Sequence, residues 1–149
     1  MRGHFDELQG TLAWYCLDHW SQLLDLDIPA LKREIRHMIA IRPHALEFLR
    51  RLHESPKQVV LVTNAHPVTL DIKMAEIDIR PWFDGVVVSH QFAAAKEEQR
   101  FWAQLQAQRH FDPARTLFID DTESVLEAAR EYGIAHLLTL LQPDSRRQK

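Results

Sequence analysis

The sequence predicts an α/β protein: a parallel sheet with helices on both faces, preceded by a helical segment. Three observations predict it. The runs Val59–Val62, Val86–Val88 and Leu117–Ile119 are apolar on both faces, as buried parallel strands are. Stretches with helical spacing separate them, so strand and helix alternate in βαβ units with right-handed crossovers. From Met1 to Ile41, by contrast, the spacing is helical throughout.

In chain order, Leu8, Leu12, Cys16, Trp20 and Leu24 fall four apart, with Phe5, Tyr15 and Leu23 beside them, which predicts one helix from Phe5 to Leu24. Gly10 weakens its start. Trp14, Tyr15 and Trp20 are expected to pack against neighbours. Pro29 suits the first turn of a second helix with Leu31, Ile35, Met38 and Ile39 on its apolar face. Pro43 opens a third, with Ala45, Leu46, Leu49 and Leu52 inward, and Ser55-Pro56 ends it. The first strand then leads to Thr63-Asn64, and a helix is expected from Pro67 to Ile77. Gly85 precedes the second strand, which runs on to Ser89. The next helix is expected over Lys96 to Arg109, with Phe101, Trp102 and Leu105 on its apolar side. The third strand is followed by a helix from Val125 to Tyr132 that Gly133 stops. Ala135 to Leu141 reads as a fourth strand, and Arg146-Arg147-Gln148-Lys149 as a solvated basic tail. The layout is a helical segment, residues 1–41, followed by a Rossmann-like region, residues 42–149.

A chain of 149 residues has room for one domain with a small appendage. Its 46% hydrophobic and 26% charged residues are ordinary for a globular protein. A net charge of −3 makes no electrostatic case for a nucleic-acid partner. Cys16 is the one cysteine, so the expectation is no disulfide, no cysteine-based zinc site and a reducing, cytoplasmic compartment. No apolar run reaches membrane-spanning length, and no signal-peptide pattern opens the sequence.

Polar groups interrupt this apolar pattern at three places. Asp120-Asp121 follows the third strand at its carboxyl end, where open α/β sheets bind ligands. Adjacent carboxylates repel unless a cation or hydrogen-bond donors compensate. One of them is explained by capping the following helix; the second calls for a metal or phosphate site. Thr63-Asn64 ends the first strand, and Lys96 sits at a helix start, the disfavoured end of the dipole for a cation. Taken singly, Thr63 reads as a strand-end residue and Lys96 as surface charge. Taken together, they supply a hydroxyl and amide donors, a fixed cation and hard oxygen ligands. That combination holds a phosphoryl group with Mg²⁺.

Val59-Val60-Leu61-Val62-Thr63-Asn64, Lys96, and Leu117-Phe118-Ile119-Asp120-Asp121 with Leu126-Glu127-Ala128-Ala129 resemble the second, third and fourth motifs of the haloacid-dehalogenase-like (HAD) hydrolase superfamily. The stretches Thr11 to Asp18, Thr63-Asn64-Ala65-His66-Pro67 and Lys96-Glu97-Glu98-Gln99-Arg100 look like the bacterial GMP/IMP 5′-nucleotidases within it. The resemblance runs from Met1 to about Ser145. It implies a Mg²⁺-dependent phosphatase acting on purine nucleoside 5′-monophosphates through an aspartyl-phosphate. Thr63 and the Asn64 amide would bind phosphate oxygens, and Lys96 would neutralise phosphate and nucleophile. Asp121 would ligate Mg²⁺ directly, with Asp120 acting through water or behind it. Residues 1–41 would belong to the cap over the site, and His66 would hydrogen-bond the backbone or reach the substrate.

The family's first motif, Asp-x-Asp-Gly-Thr, supplies its nucleophile and its general acid–base. The 149 residues do not contain it; Asp6, Glu7 and Asp18 lie in a helical pattern. The expectation is therefore a partial sequence that begins within the cap, lacks the central strand of the sheet and is inactive by itself. The strands at Val59 and Leu117 would then pair with each other or leave a slot. An alternative is a non-catalytic module that retains phosphate or nucleotide affinity. A two-component receiver domain also uses paired acids, a Thr and a Lys, but in the order acids, Thr, Lys; here the order is Thr63, Lys96, Asp120-Asp121.

Overall fold

The computed structural model describes residues 2–140; the basic tail and the end of the expected fourth strand lie outside them. The N-terminal helical pattern is not one helix but three: α1 (Arg2–Leu8), α2 (Leu12–Tyr15) and α3 (Leu17–Leu24). Gly10 makes the first break at φ +80°, a conformation that side-chain-bearing residues rarely adopt, while the Thr11 hydroxyl donates to the Leu8 carbonyl at 2.6 Å. Cys16 makes the second in extended backbone, φ −83° and ψ 115°. Helical spacing of the apolar residues continues across both breaks, which is why the pattern predicts a single helix.

Helix α4 (Ile28–Glu34) starts as expected, with Pro29 in its first turn and the Asp27 carboxylate accepting from the Ala30 N–H at 2.9 Å. A 3-10 turn at Arg36–Met38 continues it. Helix α5 (Ala45–His53) follows, capped by His44 at φ +64°. Then come strand β1 (Val60–Thr63), helix α6 (Pro67–Glu76) and strand β2 (Gly85–Val88). Helix α7 (Gln99–Arg109) begins three residues later than expected. Residues 95–98 form a turn in which the Glu98 carboxylate accepts from the Ala95 N–H at 2.8 Å, so Lys96 precedes the helix rather than opening it. Strand β3 (Leu117–Ile119), helix α8 (Glu123–Tyr132) and strand β4 (His136–Leu138) complete the described order. Gly133, at φ +107°, ends α8 as expected, its N–H bonded to carbonyls of the last turn.

The strand pairing is parallel, as predicted, in two separate two-stranded sheets. β1 pairs with β2 from Val60↔Gly85 to Thr63↔Val88, and β3 pairs with β4 from Leu117↔His136 to Ile119↔Leu138. Among the described residues β1 and β3 do not pair with each other. The chain divides into two compact units, residues 13–91 and residues up to 12 together with those from 92 onward, so each sheet belongs to its own unit.

In the unit of residues 13–91, Leu17, Leu49, Met74, Val87 and Val88 are buried, and Arg36 pairs with Glu76 at 3.1 Å. In the other unit the core is Phe101, Trp102 and Leu105 of α7 with Val125, Ala128 and Ala129 of α8. The Gln99 amide donates to the Ala128 carbonyl at 2.9 Å and ties the two helices together. Trp102 meets Phe118 of β3 edge-to-face at 4.9 Å. Only that face of β3 is covered: Leu117 and Ile119, on the other, are 50% and 38% exposed. The expectation of a strand buried on both faces is corrected here; β3 is two-faced, with helices against one side.

Candidate functional site

Asp120 stands at the carboxyl end of β3, its N–H donating to the Leu138 carbonyl of β4 at 3.1 Å. One carboxylate oxygen accepts from the Thr122 N–H at 2.9 Å; the other takes a short hydrogen bond from the Lys96 ammonium. The two side chains are only 8% and 10% exposed. Removing both charges from water is costly, and close approach with further hydrogen bonds offsets that cost. Lys96 is held in turn: the Trp102 indole N–H donates to its carbonyl at 2.8 Å, and its ammonium lies 5.8 Å from the Phe118 ring centroid.

Asp121 has the opposite environment. It is exposed, and among the described residues its carboxylate meets the Thr122 hydroxyl, at a long 3.5 Å. Neither acid caps α8 with its side chain. Thr122 is the capping residue, without a side-chain bond, and Asp120 bonds the backbone at Thr122 itself. Repulsion between the two acids is therefore relieved by dividing their roles: Asp120 is internally neutralised and Asp121 faces water. A Mg²⁺ ion takes one or two carboxylates and completes its octahedron with water and substrate phosphate oxygens. Asp121 fits as the direct ligand, and Asp120, with both oxygens engaged, as the group behind it.

Thr63 and Asn64 end β1 in the other unit. The Thr63 hydroxyl oxygen accepts from the Ala65 N–H at 3.0 Å, which leaves its own O–H to donate. Asn64 is buried, 6% exposed. His66 caps α6, its Nδ1 accepting from the Val68 N–H at 3.3 Å. The backbone role expected of His66 is therefore present, and a second role adjoins it. Its Nε2 lies 3.8 Å from the Asp18 carboxylate, and its ring meets His90 edge-to-face at 5.0 Å. Cys16, His66 and His90 each present a ligating atom, all within 4.8 Å of one another. Burial and the neighbouring His66 push His90 below its usual basicity, with Asp18 opposing.

Sequence reasoning missed Cys16 and His90 as site residues. Ser89-His90 follows β2 at its carboxyl end, the same position that singled out Thr63-Asn64 and Asp120-Asp121. Cys16 gave no such signal, because it lies far from both histidines in sequence. The one Asp-x-Asp spacing in the chain, Asp25 and Asp27, is used at helix ends: Asp25 closes α3 at φ +52° and Asp27 caps α4.

Comparison with known proteins identifies the family. The family model described as haloacid dehalogenase-like hydrolase matches residues 11–133. The GMP/IMP nucleotidase YrfG of Escherichia coli K12 is 40% identical over 145 residues, 97% of this chain. The chain spans 65% of the length of that relative. Among solved structures, an HAD phosphatase from Thermococcus onnurineus superposes with a TM-score of 0.80 at 16% identity, over 99% of this chain and 69% of its own. An HAD-family enzyme from Bacteroides thetaiotaomicron, an Asp-to-Ala mutant solved with magnesium and inorganic phosphate, gives 0.63 at 22% identity, over 97% and 81%. With a family match across most of its residues, and with parallel α/β pairing and acids at a strand end, the chain belongs to the haloacid dehalogenase-like hydrolases.

Proposed function

We propose that this chain is the phosphate- and Mg²⁺-holding part of a nucleotidase that hydrolyses purine nucleoside 5′-monophosphates, GMP and IMP, in the cytoplasm. The observation that carries the reading is the division of labour at the end of β3: a buried Lys96–Asp120 pair next to an exposed Asp121. The 40% identity to a GMP/IMP nucleotidase supports the substrate class, and the magnesium–phosphate complex of a structural neighbour supports the cation. Thr63, Asn64 and Lys96 bind phosphate oxygens, Asp121 holds Mg²⁺, and Asp120 acts behind it. Bound Mg²⁺ supplies charge neutralisation at the phosphoryl oxygens. Residues 1–41 contribute to a helical cap, and residues 42–149 to the core.

Aspartyl-phosphate chemistry needs a nucleophile and an acid–base that the 149 residues do not supply in an Asp-x-Asp-Gly-Thr motif. The chain by itself is expected to bind phosphate or nucleotide without turnover, as a binding module would. Equilibrium dialysis with labelled GMP in Mg²⁺ tests this: saturable binding that Lys96→Ala abolishes is the expected result. Binding that ignores Lys96→Ala and Asp121→Asn would remove the assignment of these residues.

A further inference from the structure

His90 has both ring nitrogens buried, and neither has a hydrogen-bond partner among the described residues. A neutral imidazole carries one donor and one acceptor, and leaving both unmet in a buried place is costly. A thiol and a second imidazole lie beside it, since Cys16, His66 and His90 bring one ligand atom each to within 4.8 Å of one another. All three belong to the unit of residues 13–91 and are half-buried. Cys16, whose extended backbone breaks the N-terminal helix, is the capping residue just before α3.

We propose that Cys16, His66 and His90 form a binding site for a borderline-soft divalent cation of the Zn²⁺ type. A thiolate and two imidazoles are the donors such ions select, whereas Mg²⁺ and Ca²⁺ take oxygen ligands, so this site is distinct from the one at Asp121. Bond lengths of about 2.0–2.1 Å to nitrogen and about 2.3 Å to sulfur put tetrahedral ligand atoms roughly 3.3–3.6 Å apart. The observed cluster therefore closes by about 1 Å on binding, within reach of side-chain rotation. Three protein ligands leave a fourth position for water or for Asp18, whose carboxylate is already 3.8 Å from His66 Nε2. Coordination through either nitrogen of His66 gives up its bond from the Val68 N–H, which at 3.3 Å is long. Binding at one nitrogen of His90 satisfies half of its unmet demand. Cys16 loses its proton and His66 and His90 bind neutral, so uptake releases a proton. A single cysteine rules out a site built on several cysteines, but not this mixed one.

The test is metal titration of the whole purified chain under thiol-free reductant. Zn²⁺ alone, followed by dialysis and elemental analysis, is expected to give one retained equivalent. Co²⁺ in its place is expected to give a thiolate-to-cobalt charge-transfer band. Outer-shell changes already weaken metal sites about 10–100-fold, so Cys16→Ser and His90→Gln should each weaken Zn²⁺ at least that much, while Asp121→Asn should not. Circular dichroism checks that each variant is folded. A cobalt spectrum of the unaltered chain without the thiolate band would overturn the proposal, whether or not the variants fold. So would undiminished stoichiometric Zn²⁺ binding in the Cys16→Ser, His90→Gln double variant, which would place the ion on other histidines.

Discussion

Lys96 and Asp120 are nine-tenths buried and compensate each other, so removing one partner strands the other's charge. Lys96→Met is expected to cost about 3–5 kcal/mol in urea unfolding, and the apolar double variant Lys96→Met, Asp120→Leu much less, since breaking a buried pair costs more than replacing it. Asp121→Asn touches an exposed carboxylate and should change stability by no more than about 0.5 kcal/mol, while weakening Mg²⁺ binding in calorimetry. A large loss of stability would mean that Asp121 is structural. These residues were legible because each puts a charge at a boundary where apolar runs end. The cluster of Cys16, His66 and His90 was not legible: its members come from three segments, and only folding makes them neighbours.

Backbone conformation, more than side-chain pattern, decides where the elements stop. Gly133 ends α8 at φ +107°, and a Cβ there would meet nothing within 4 Å. Gly133→Ala is therefore expected to cost about 1–2 kcal/mol through backbone strain alone. Ala93, just before the turn that holds Lys96, carries the opposite mismatch, a side chain at φ +49°. Ala93→Gly should be neutral or stabilise by up to about 1 kcal/mol in the same assay, and marked destabilisation would show that the methyl group is needed for packing. Strand and helix order was readable from alternation. The breaks at Gly10 and Cys16 were not, because the spacing of apolar residues along the sequence is blind to a local φ/ψ change. The late start of α7 escaped for a similar reason: the turn at residues 95–98 is closed by Glu98, a residue that serves equally well inside a helix.

At the scale of the molecule, the class of fold was legible and the covering of each sheet face was not. Leu117 and Ile119 of β3 and Leu138 of β4 are 50%, 38% and 53% exposed, so one side of that two-stranded sheet presents aliphatic side chains to solvent. A run of apolar residues predicts a strand but does not say what covers each of its faces. Exposed aliphatic strands favour association, so sedimentation of the 149-residue chain is expected to show mass rising with concentration, and Leu117→Lys should reduce it. A strictly monomeric chain at high concentration would remove this expectation. On the proposed function, the chain holds the phosphate and metal groups of a nucleotidase without the Asp-x-Asp-Gly-Thr motif that does the chemistry. Mg²⁺-dependent release of inorganic phosphate from GMP and IMP by the purified chain tests it most directly. No release above the no-enzyme control is expected, and sustained release that Lys96→Ala abolishes would overturn the proposal.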